Sequence, residues 1–266
     1  MFPDSAATIA GMYREQAPPP DLAPLLACTW TTVARGGRIL PDGCADVVWD
    51  GTDLVIAGPA TIALDSPVQG ARVFGVRFRL GAAGAGLGLP AEELADARVP
   101  VVDVWRDGES LREAAALRGL PGLIDALRSR LRVAETDPLT RAAAVGLAVL
   151  GARVGDLGAE LGISERQLRR RFADAVGYGP KTLARILRFQ RFLALAGDEA
   201  ALARVPPASH RWAPPPRVDL AGLAFTAGYA DQAHLTRECR RLAGRTPAEL
   251  VRLGVRPAGE RQLWRA

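Results

Sequence analysis

Histidine, cysteine and lysine are scarce in these 266 residues: two histidines, three cysteines and a single lysine, Lys181. Cys28, Cys44 and Cys239 are too few and too scattered for a disulfide framework or a four-cysteine zinc site, and unpaired thiols fit a reducing, cytoplasmic setting. No apolar run approaches the roughly 20 residues that a membrane-spanning helix needs, so no membrane partner is expected. The longest run, Ala142 to Ala152, has 11 residues and reads as a buried helix. The N-terminus lacks a basic segment followed by an apolar one, which argues against a secretory signal. Aromatic residues make up only 6% of the chain, whereas glycine (28) and proline (20) are plentiful. With 48% hydrophobic and 24% charged residues, the composition still excludes a wholly disordered chain.

Charge is divided unevenly. Residues 1–133 carry 13 basic and 16 acidic side chains, and residues 134–266 carry 21 and 13. A basic half points to a polyanionic partner, unless the arginines merely reflect an arginine-biased composition. Their positions decide between the two.

The first half shows short apolar or alternating runs: LAPLLACTWTTV, ADVVWD, DLVIAG, ARVFGVRFRL and VPVVDVW. Turn signals (RGG, PDG, DGT, GP, DSP) separate them, which predicts a small β-sandwich or barrel. Trp30, Trp49 and Trp105 are expected in its core, with an aromatic-lined effector pocket as the alternative. Gly81–Pro90 (GAAGAGLGLP) matches neither phosphate-loop spacing and is expected to be a flexible connection. Residues 110–132 read as helix broken at Gly119-Leu120-Pro121-Gly122. Cys44, beside Asp42 and Asp46, reads as a small buried hydrophobe or as a reactive, alkyl-accepting thiol.

From Asp137 the period becomes helical, with Asp137 as cap and Pro138 at the first helical position. One pattern then occurs twice. In VGDLGAELGISERQLRRRF, Leu157 and Leu161 line a short helix, Gly162 supplies a turn and Ser164 caps a second helix. That helix places Leu168, Phe172, Ala175 and Val176 on one face and Arg166 and Arg170 away from it. In DLAGLAFTAGYADQAHLTRECRRLAG, Asp219 caps a helix with Leu220, Leu223, Ala224 and Ala227. Gly228 turns the chain, Asp231 caps the next helix, and Leu235, Cys239 and Leu242 form its apolar face, with Arg237 opposite and Glu238 read as flanking charge. A short helix, a glycine turn and a capped second helix describe a helix-turn-helix, whose second helix enters the major groove. Between the copies, GYGPKTLARILRFQRFLALA predicts a helix opened by Pro180, with Leu183, Ile186, Leu187, Gln190 and Leu193 or Ala194 recurring on it. Residues 197–218 contain five prolines and read as a linker. Thr246 and Pro247 open a last helix.

GISERQLRRRF, GYGPKTLARILRFQRFLALA, LAFTAGYADQAHLTREC and GRTPAEL, in that order over about residues 138–253, together resemble the DNA-binding domain of AraC/XylS transcription regulators. The resemblance implies an α+β multidomain chain. A cupin-like β-barrel or sandwich with flanking helices, for effector binding or dimerisation, would occupy 1–133. An all-α domain of two helix-turn-helix units joined by a central helix would occupy 134–256. By motif position, base-reading residues fall on Arg166, Arg169 and Arg170 in the first unit. In the second they fall on Gln232, Ala233, His234, Thr236 and Arg237. Ser164, Gln167, Arg171, Lys181, Arg240 and Arg241 are expected at phosphates. The chain departs from the family pattern at Ala233, which can offer a base only an apolar contact, at Cys239 in place of phenylalanine, at Gly158 in place of alanine, and in its long linker. ILPDGCADVVW, GVRFR and LGLPAEEL are similar to a domain of uncharacterised function found in some members. Enzymatic cupins use histidine-rich metal sites, and both histidines, His210 and His234, lie in the other half, so no cofactor or metal is expected. Expected partners are double-stranded DNA and, as candidates, RNA polymerase, a small-molecule effector and a second copy of the chain. Two rival readings stay open: an alkyl-acceptor repair protein using Cys44 that also regulates transcription, and a non-specific architectural or RNA-binding protein.

Overall fold

The computed structural model describes residues 13–149, 154–203 and 218–255. Its first part is an antiparallel sheet of six strands: β1 (Arg14–Gln16), β2 (Leu26–Ile39), β3 (Asp46–Trp49), β4 (Leu54–Ala57), β5 (Leu64–Phe78) and β6 (Arg98–Pro100). They lie in the order β1-β2-β5-β3-β4-β6, with β1 and β6 at the two ends. The long strands β2 and β5 pair over their whole length, from Leu26 opposite Phe78 to Ile39 opposite Leu64. β1 reaches only Thr29–Thr31 of β2, and β3 reaches only Phe74–Arg77 of β5. Beyond those limits β2 and β5 continue as a two-stranded ribbon.

One face of the sheet buries Val47, Ile56, Val76 and Phe78 against helices. These are α1 (Ala83–Leu87), α2 (Val101–Val104) and α3 (Gly108–Leu131). The other face carries a smaller cluster of Cys28, Trp30, Val48, Val55 and Val73. Trp30 is therefore in the core as expected, and Trp49 stacks on Phe74 with ring centroids 6.2 Å apart. Trp105 is buried too, but at the end of a helix: Val101–Val104, expected as strand, turns helical after Pro100. Its indole N–H donates to the Leu87 carbonyl (2.8 Å). α3 is interrupted at Gly119 (φ 64°, ψ −149°), the break that the Gly-Leu-Pro-Gly sequence announces.

Gly81–Pro90 is not a loose connection. It forms α1, with Ala82, Ala83 and Leu87 buried. Its glycines serve close approach: a Cβ at Gly86 would meet the Phe78 ring, and one at Gly84 would meet the Asp174 carbonyl.

The second part is all helical: α4 (Pro138–Gly146), α5 (Val154–Glu160), α6 (Glu165–Val176), α7 (Pro180–Ala203), α8 (Leu220–Ala227), α9 (Gln232–Ala243) and α10 (Pro247–Arg252). α4 stops at Gly146, inside the apolar run expected to be one buried helix, and leaves Val145 and Val149 exposed; Leu150 to Ala152 lie outside the described residues. α7 continues through Ala203, past Gly197 where a linker was expected to begin. Of that stretch, residues 204–217, with His210, lie outside the described residues. On α7, Leu183, Ile186, Leu187, Gln190 and Leu193 are fully buried, as their spacing requires, and Phe189 and Phe192 join them. They unite α4, α6, α8, α9 and α10 in one core.

Candidate nucleic-acid interface

Local chemistry builds the two repeated units in the same way. In the first, Gly162 takes φ +65° between α5 and α6. Ser164 and Gln167 then form a reciprocal capping box: the Ser164 hydroxyl accepts from the Gln167 N–H (3.3 Å), and the Gln167 side-chain oxygen accepts from the Ser164 N–H (2.9 Å). Gly158 fits the tight turn, since even a methyl there would press on the Ile163 carbonyl at 3.3 Å. In the second unit, Asp219 caps α8 and Gly228 turns the chain at φ +90°. Asp231 accepts from the His234 N–H (2.6 Å) to open α9.

Both second helices bury one face and expose the other. α6 buries Leu168, Phe172 and Val176; α9 buries Leu235, Cys239 and Leu242. Arg166, Arg169 and Arg170 are exposed on α6, and Gln232, Ala233, Arg237, Arg240 and Arg241 on α9. Arg169 pairs along the helix with Glu165 (3.0 Å), which Lys181 approaches at 4.0 Å. Among the described residues, Arg166, Arg170, Arg237, Arg240 and Arg241 have no carboxylate partner within the protein.

Other expected contacts have structural duties. Ser164 and Gln167 serve the cap, the Ser164 hydroxyl also donating to the Gln167 side-chain oxygen (2.9 Å). Arg171 bonds Asp137 (2.9 Å) and so ties α6 to the start of α4. Burial pushes the Asp137 carboxyl up, but bonds from Thr140, Arg171 and the Leu139 N–H outweigh it and hold it below the usual range. Thr236 is half-buried and donates to the Gln232 carbonyl (2.8 Å). His234 is half-buried, edge-on to Tyr229 at 5.2 Å.

Three arginines on α7, invisible as a functional set in the sequence, brace the second unit and the end of α4. Arg185 forms a two-pronged pair with Glu238 of α9 (2.7 and 3.0 Å). Glu238, read as mere flanking charge, is thus an anchor. Arg188 lies over the Tyr229 ring at 5.5 Å. Arg191 donates to the Ala148 carbonyl (2.5 Å) after α4. Only their spacing of three residues hinted at a shared face.

The cysteine chemistry is muted. Burial pushes the Cys28 and Cys239 thiols up to about 12 and the Cys44 thiol well above its usual value, and all three are free. Thiols kept protonated are poor nucleophiles. Among the described residues, no group of three or more His, Cys, Asp or Glu is placed to hold a metal ion, and no helix is long and apolar enough to cross a membrane. Clefts among the described residues are shallow. One of about 300 Å³ includes Asp21, Leu25, Leu131 and Arg132 in its walls. Another, about 250 Å³, lies between α1 and the α4–α6 side, next to Glu135, Asp137 and Arg171. Neither is lined by tryptophan.

Residues 14–100 match a family described as a domain of unknown function (DUF6597). No curated protein is significantly similar in sequence. Among solved structures the chain is similar to ToxT from Vibrio cholerae O395, at 8% identity and a TM-score of 0.43, over 92% of this chain and 98% of that one. It is also similar to unsaturated fatty acid-bound ToxT from Vibrio cholerae strain SCE256, at 10% identity and a TM-score of 0.37, over 94% and 99% of the two chains.

Proposed function

We propose that the chain is a sequence-specific DNA-binding transcription regulator of AraC/XylS type. On this reading residues 134–256 bind DNA, and residues 1–133 sense a ligand or dimerise. The observation that carries it is the pair of capped helices on one rigid spacer, each turning unpaired arginines outward. Arginine near the start of such a helix matches guanine O6 and N7 with its fork, and cations further along meet phosphate. The first two turns of α6 and α9 therefore read bases through Arg166, Arg169 and Arg170 and through Gln232, Ala233, His234, Thr236 and Arg237. Lys181, Arg240 and Arg241 neutralise phosphates. The half-buried Cys44 thiol, which desolvation and the neighbouring Asp42 push well above its usual value, weighs against an alkyl-acceptor role.

The test separates base reading from charge. Arg170→Ala is expected to weaken binding to a selected duplex by roughly 1–3 kcal/mol and to relax one base position. Arg241→Ala should weaken binding to every sequence and flatten the salt dependence by about one ion. Uniform weakening by Arg170→Ala, or a changed preference with Arg241→Ala, would contradict the assignment.

A further inference from the structure

The sheet-bearing part grips both proposed reading helices, and it does so at their C-terminal ends. At α6, Gly84 of α1 lies so close to the Asp174 carbonyl that no side chain fits, and Gly177, just past the helix, sits against Pro59 and the Ala91 carbonyl. At α9, the far end of the β2–β5 ribbon delivers Arg38. Its Nη1 donates to the Ala243 carbonyl (2.9 Å), and its Nε donates to Asp65 across the ribbon (3.2 Å). The Ala243 carbonyl belongs to the last turn of α9, which ends at Gly244 in a left-handed conformation (φ +65°). Carbonyls there lack helical partners and carry the negative end of the helix dipole, so a guanidinium is the complementary cap. Gln190 of α7 donates to the Pro41 carbonyl just beyond the ribbon (2.5 Å) and is fully buried.

We infer that Arg38 is a positioning residue for α9: the ribbon fixes the setting of the second reading helix relative to the first. This rests on the DNA-reading role proposed above. α6 is seated from this side by close packing at two glycines, Gly84 and Gly177. α9 is held from this side by Arg38, partly exposed at the end of a two-stranded arm. The second helix is therefore the adjustable one, and a change in the sheet reaches the DNA surface through the ribbon. The residue in contact with base edges is never Arg38 itself; it acts by holding the end of the helix opposite to the reading end.

The experiment uses the full-length protein and a duplex selected from random DNA, with variants Arg38→Ala and Arg38→Lys. Binding is measured to the intact duplex, to duplexes with either half scrambled, and to one with a base pair inserted between the halves. The α6 half is the one whose preference Arg170→Ala relaxes. Arg38→Ala is expected to weaken binding to the intact duplex about fivefold, the scale of a helix-terminus charge interaction. It should leave the α6 half alone unaffected, and it should suffer less than the wild type from the inserted base pair. Arg38→Lys should restore most of the loss, and binding is measured well below the melting midpoints of all three proteins, so that unfolding does not enter. Equal weakening on both halves, or no change on a duplex that the wild type discriminates, would overturn the role of Arg38 while leaving DNA reading intact. A wild type that does not distinguish the selected duplex from random DNA would overturn both.

Discussion

Arg77→Met is expected to cost roughly 3–5 kcal/mol of folding stability, the range for removing one partner of a buried ion pair. Arg77 lies on β5, with its side chain 12% exposed. It bonds Asp46 of β3 through two nitrogens (3.0 and 2.9 Å), reaches Asp42 at 3.3 Å and Glu15 of β1 at 4.0 Å. One cation thus holds three carboxylates, and methionine would leave all three without it. The loss should depend on pH. Burial already pushes the Asp42 carboxyl above its usual value, against the pull of Arg77. Without the arginine the Asp42 carboxyl rises further. A raised acid contributes stability in its protonated form, fully present below the unfolded value and lost as pH rises through the folded one. The variant should therefore be closest to the wild type near pH 5 and furthest from it near pH 8. Urea unfolding followed by tryptophan fluorescence measures both. A deficit below about 1 kcal/mol, or one equal at the two pH values, would contradict the account.

Phe172→Ala should cost a similar amount, roughly 3–5 kcal/mol, because truncating a buried phenylalanine loses transfer energy and leaves a cavity. Phe172 is fully buried at the centre of the face with which α6 meets the common core. The consequence should extend beyond stability. The same core seats α7 and α9, so loosening α6 should abolish binding to the selected duplex under conditions where Arg170→Ala only weakens it. Denaturant unfolding and DNA titration of the same preparation give the two values. Near-wild-type stability would mean that α6 does not depend on this core.

What could be read from the sequence follows from the range of each interaction. Caps and glycine turns act over three or four residues, so Ser164, Asp219, Asp231, Thr246, Gly162 and Gly228 announced their helices directly. Helical spacing likewise exposed the apolar stripe of α7. The missed features depend on contacts between distant segments. GAAGAGLGLP looks like a loop because small residues favour no local structure; its glycines make sense only against Phe78 and Asp174. Val101–Val104 has strand-like residues, and only the proline before it and the α3 packing make it helical. Glu238 looks like surface charge until Arg185, 53 residues earlier, closes on it. Arg38 lies 205 residues from the carbonyl it caps, beyond the reach of any local pattern.

The central claim is that α6 and α9 together read a sequence and do more than attract a polyanion. Competition at physiological salt tests it most directly: full-length protein bound to its selected duplex is challenged with unlabelled selected or random duplex. The account predicts that random DNA competes about 10³-fold or more weakly. Equal displacement by the two competitors would show a basic surface without readout, and would contradict it.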